Sequence, residues 1–98
     1  MKKVLIIEKN RKSIDRFFKP EEHGWVVFIC LGGSEIYSLV RSLEIRYPGG
    51  KIVIIMDKNK NPEWKSLLKR DCECKILHPV YPIKTKSLFY RQMKSLEG

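Results

Sequence analysis

Glu8 and Asp57 each close an apolar run, VLII before the first and IVIIM before the second. An acid at the end of a buried strand sits where the sheet meets water. In an open α/β sheet, ligands bind beyond the carboxyl ends of the strands, where the strand order reverses. With a strand order of 2-1-3-4, the strands ending in Glu8 and Asp57 are neighbours and two carboxylates converge on one rim. Paired carboxylates suit Mg²⁺, a hard cation that prefers oxygen ligands. With the charge screened by the metal, the arrangement also lets one of the two carboxylates attack a phosphoryl group. The plainer reading gives both acids simple duties at strand ends, solvated or hydrogen-bonded to the following helix, with Lys9 as an ion-pair partner.

Other constellations carry less chemistry. LGGSE at 31–35 puts two glycines before a helix start. Free N–H groups there could hold an anion, but the lysine and spacing of a P-loop are missing. A tight turn that uses glycine's backbone freedom explains it better. His23 stands in a loop beside Glu21 and Glu22, and His78 precedes Pro79 at a strand end. Neither is tied to a serine or cysteine nucleophile by a recognisable pattern, so no triad or dyad is expected and the chain reads as a non-enzyme without a cofactor. Cys30, Cys72 and Cys74 are odd in number, with one residue between the last two. That fits reduced thiols in the cytoplasm better than a disulfide framework or a zinc knuckle.

The elements that must position these residues form a βα series. KVLII (3–7), WVVFICL (25–31), KIVIIM (51–56) and CKILH (74–78) read as strands, the last at an edge because it is more polar. Asn10 caps a helix with Ile14, Phe17 and Phe18 inward, limited by Pro20. Ser34 caps a helix over 35–46, ended by Tyr47-Pro48-Gly49-Gly50. Asn61-Pro62-Glu63 starts a third helix with Trp64, Leu67 and Leu68 inward. Thr85 opens a last helix that buries Leu88, Phe89, Met93 and Leu96. Short loops between alternating strands and helices predict a flavodoxin-like three-layer α/β/α sandwich with a parallel sheet of about four strands. Residues 1–98 make one domain, and Glu97-Gly98 reads as an expression remnant.

Apolar residues form 43% of the chain, which places it among folded globular proteins, and no apolar run approaches a membrane span. The net charge is +9. Residues 51–98 carry eleven Lys and Arg against five acids, residues 1–50 nine against six. A lysine-rich solvated surface accounts for this, and nucleic acid is the less favoured partner. In the last loop and helix, Tyr81 and Tyr90 stand among Lys84, Lys86 and Arg91, a mixture that suits a protein interface. A bare sheet edge or helix face also allows a homodimer.

VLIIEKN, KIVIIMDKN and PIKTKSLFYRQMKSL together resemble the receiver domain of two-component response regulators, shortened by about one βα unit. The resemblance implies a signal-transduction role in a phosphorelay, Mg²⁺ held by acids after the first strand, and partner docking on the last loops and helix. Three departures matter. Lys9 fills the place of the second acid. Tyr81 or His78 stands where a receiver has its phosphate-reading lysine. Asp57 falls at the acceptor position counted from the N-terminus, but one βα unit later counted from the C-terminus. The expectation is an atypical receiver-like domain that works by protein contact. A functional phosphoacceptor domain using Asp57, with Glu8 and Asp57 on Mg²⁺, and a small basic nucleic-acid module are the alternatives.

Overall fold

The computed structural model describes residues 2–16, 18–78 and 91–95. Four parallel strands, β1 (Lys3–Glu8), β2 (Trp25–Cys30), β3 (Lys51–Ile55) and β4 (Lys75–Leu77), form one sheet in the order β2-β1-β3-β4. The order reverses between β1 and β3, as the sequence predicts, and β4 lies at an edge.

Side chains alternate across a strand, and each alternate set enters a different layer. Val4, Ile6, Ile52 and Ile54 pack with Ile36, Val40, Leu43 and Leu68. These helical residues belong to α2 (Gly33–Arg46) and α3 (Pro62–Asp71). Leu5, Ile7, Val53 and Ile55 pack on the opposite face with Ile14, Phe18 and Met93. Ile14 belongs to α1 (Lys12–Asp15), and residues 91–95 are helical. Burial on both faces is why the two central strands are apolar at successive positions. Each such side chain contributes about 1.5–3 kcal/mol by leaving water.

The first helix is shorter than its apolar pattern predicts. Phe18 N–H still donates to Ile14 at 2.8 Å, but Lys19 is extended (φ −108, ψ 96) before Pro20. The proline disfavours the helical region for the residue before it. A 3-10 turn over Pro20–His23 follows, and Gly24 takes φ +82 to enter β2. Arg11 ties the two turns together, bonding Asp15 at 2.9 Å and Glu21 at 2.8–2.9 Å.

β2 is the other edge, and it ends one residue earlier than expected. No strand among the described residues pairs with its outer side. Val26 is 39% exposed and Ile29 47%, and Leu31 beyond the strand is 76% exposed. Among the described residues, no helix is long and apolar enough to cross a membrane.

Candidate functional site at the C-terminal rim of the sheet

β1 ends on Glu8, and the chain leaves through Lys9 in the left-handed region (φ +67). Lys9 N–H still donates to Cys30 at 2.6 Å, and Asn10 N–H to Glu8 O at 2.9 Å, so the exit is a tight hydrogen-bonded bend. Asn10 Oδ1 accepts the Lys12 N–H at 2.7 Å and so supports the start of α1, although Arg11 is the residue at the cap. β3 ends at Ile55. Met56 is fully buried after it, and Asp57 follows at the rim.

The sequence expectation that Glu8 and Asp57 meet at one rim holds, but they meet in an unexpected way. Glu8 Oε1 accepts the backbone N–H of Asp57 at 3.4 Å, and Oε2 accepts the side-chain amide of Asn61. Both oxygens of Glu8 therefore serve the loop between β3 and α3. The Asp57 carboxylate turns onto its own loop, where Oδ1 accepts Asn59 N–H at 3.0 Å. This is the local side-chain-to-backbone bond that aspartate forms in turns.

Two more residues complete the rim: Asn61, which the sequence marked only as a helix start, and Lys65, which sequence reasoning passed over. Asn61 precedes Pro62 at the start of α3 with φ +55, and its side chain makes no cap bond to the helix. The side chain is free to reach Glu8 because the left-handed backbone turns it away from the α3 amides. Lys65 is 8% exposed, yet its ammonium is satisfied by the carbonyls of Asp57 and of Lys58, the latter at 2.9 Å. A buried charge survives only when hydrogen-bonded in this way.

His78, just beyond β4, places Nδ1 3.3 Å from Met56 O, which fits the structural duty expected of it. The glycines of LGGSE act otherwise than expected. Neither takes a positive φ. A Cβ on Gly33 would stand 2.4 Å from Cδ1 of Trp64, so close packing requires this glycine. Glu35 Oε2 accepts the Leu31 N–H at 2.9 Å and steadies the entry to α2, which starts before Ser34. All three cysteines are free, and burial raises the thiol of Cys30, with a smaller push from Glu35. Of the expected interaction surface, Arg91 is exposed on the helical residues 91–95. Tyr81, Lys84, Lys86 and Tyr90 lie outside the described residues, as do Phe17, Leu88, Phe89 and Leu96.

No family model, curated protein or solved structure matches the chain. The chemistry of the rim must be judged on its own residues. Among the described residues, no group of three His, Cys, Asp or Glu side chains is arranged to hold a metal ion. Mg²⁺ at Glu8 would have to displace two N–H donors from the carboxylate. In this geometry Glu8 fastens the β3–α3 loop to β1.

Proposed function

We propose that this chain is a receiver-like signalling domain of the cytoplasm that acts by docking on another protein, without Mg²⁺-dependent aspartyl phosphorylation. One observation carries the second half of the reading: both oxygens of Glu8 accept N–H donors from the loop that a phosphorylation pocket would need open. The parallel order β2-β1-β3-β4 supports the first half at the level of fold, although one fold hosts many functions. The docking face in this reading is the last loop and helix, with Tyr81, Lys84, Lys86, Tyr90 and Arg91. A net charge of +9 favours a partner with an acidic surface.

The test is an amide NMR titration with Mg²⁺ and then fluoroberyllate. The expected result is no shift at Glu8, Lys9, Asp57 or Asn61 up to millimolar Mg²⁺. Shifts clustered on those four residues, with a raised melting temperature, would restore Asp57 as a phosphoacceptor and overturn the reading. Photo-crosslinkers at position 90 and, as the control, in place of the exposed Ile45 of α2 test the docking face. A protein adduct from position 90 alone is expected, and equal adducts from both would refute the assignment.

A further inference from the structure

Among the described residues, no strand pairs with the outer side of β2, and the hydrogen bonds of its inner side show which backbone groups stand open. Lys9 N–H donates to Cys30 O, so Cys30 turns its backbone toward β1. Backbone groups alternate along a strand, and Phe28 and Val26 therefore face β1 as well. Val27 and Ile29 turn their N–H and C=O groups outward. Farther along the edge, Leu31 N–H is already taken by Glu35 Oε2 at 2.9 Å, which ends the open stretch. The half-exposed side chains of Val26 and Ile29 stand on opposite faces of this edge.

The run WVVFICLGG carries no charge. A strand that pairs with it must be apolar at the matching positions, and β2 itself meets that requirement. In an antiparallel pair with its two-fold axis at Phe28, Val27 stands opposite the partner's Ile29, and the two exchange both hydrogen bonds. Val26 stands opposite the partner's Cys30 on the α2 face. Gly24 falls opposite the partner's Gly32, where a Cβ would meet nothing within 4 Å, so the strand ends approach without obstruction.

The helix above this edge carries matching charge. Tyr37 and Arg41 of α2 bond Asp71 of α3, and Glu44 bonds Glu73, so that flank of α2 faces α3. Glu35, Leu39, Ser42 and Arg46 recur at i, i+4, i+7 and i+11 on the other flank, toward β2. The acid lies in the first turn and the arginine in the last, both exposed. A two-fold axis at β2 runs two α2 helices antiparallel, which sets Glu35 toward the partner's Arg46 and Arg46 toward the partner's Glu35.

We propose that two copies of this chain join through antiparallel β2 edges into one continuous sheet, with Glu35 and Arg46 as the charged pair across the two α2 helices. The interface lies at the sheet edge opposite β4 and is independent of the docking role proposed above.

Sedimentation equilibrium at physiological ionic strength, where the repulsion of the +9 charge is screened, should show a species of twice the chain mass that dissociates on dilution. Ile29→Lys, at an exposed position, places a charge on the edge and should leave single chains with an unchanged melting temperature. Arg46→Glu lowers the net charge, which would strengthen any nonspecific association of a basic protein. In the proposed dimer it replaces two opposite-charge pairs by two like-charge pairs, and should weaken association about fivefold. Glu35→Lys/Arg46→Glu restores both the pairing and the net charge and should recover it. Hydrogen exchange should protect the Val27 and Ile29 amides only as the protein is concentrated. Single chains at every concentration would overturn the proposal, as would a dimer untouched by Ile29→Lys or strengthened by Arg46→Glu. Protection of those two amides in dilute protein would overturn it too, because the edge would then be covered within one chain.

Discussion

Gly33 and Trp64 touch so closely that a methyl on the glycine would lie 2.4 Å from the indole Cδ1 and 2.5 Å from Cγ. This contact joins the first turn of α2 to α3. In Gly33→Ala the indole must move, at a cost of about 1–3 kcal/mol. With Trp64→Ala already in place the clash is gone. The same Gly33→Ala change should then stabilise, by up to about 1 kcal/mol, because alanine is the better helix former. Urea unfolding of the four proteins tests this reversal of sign. A Gly33→Ala cost that persists without Trp64 would contradict the contact.

The bond between Glu8 and Asn61 predicts a different pattern. Asn61→Gly keeps a left-handed backbone available and loses only the amide donor. Asn61→Ala loses the donor and also strains the backbone, by about 1 kcal/mol more. Glu8→Ala should remove most of the difference between Asn61 and glycine at that position. Chemical denaturation reads all three, and additive losses in Glu8→Ala/Asn61→Gly would break the assignment.

Asp71 predicts an acid-limb effect. Arg70 and then the Tyr37 hydroxyl hold its carboxyl well below the usual range, with Arg70 Nε at 2.7 Å and Tyr37 Oη at 2.6 Å. A carboxyl with a lowered folded-state value stabilises the fold above its unfolded value of about 3.9, and that contribution is lost as pH falls from there through the folded value. Asp71→Asn should therefore be less stable than the parent at pH 6, with the gap narrowing below about pH 4. Melting temperatures across pH 2–7 measure it. A gap that widens toward acid would show the opposite sign and refute the pairing.

Cys72 and Cys74 should alkylate slowly. Burial raises both thiols to about 11, so the rate with iodoacetamide should climb through pH 9.5 without levelling. Mass spectrometry of each peptide over pH 7–9.5 reads this. A rate that bends over with its midpoint near pH 8.5 on either cysteine would mean an ordinary, solvated thiol.

The sheet was legible because its signals are local and redundant. KVLII and KIVIIM are apolar at consecutive positions, a pattern that only double-sided burial rewards, and Asn61-Pro62 marked the start of α3 correctly. α1 was overextended because Ile14 and Phe18 keep helical spacing while the residue before Pro20 leaves the helix. LGGSE was misread because glycine in a turn and glycine under an indole look alike until Trp64, 31 residues on, is placed beside it. At the rim, the meeting of Glu8 with Asp57 followed from strand order. The capture of Glu8 by Asn61 did not, since it depends on a left-handed backbone at a residue that ordinarily caps a helix. The shortness of β4, three residues beside the five of β3, had no signature either.

Among the described residues, the outer strand β2 is a bare sheet edge. WVVFIC contains no charge and no proline, the features that commonly guard a sheet edge. The guard is instead the charge of +9 carried by the whole chain, which keeps copies apart by repulsion. Such repulsion fades beyond roughly 8 Å at physiological ionic strength and is shorter still in concentrated salt. Colloidal stability should therefore be greatest in dilute buffer and decline as salt is added, with light scattering rising as it does.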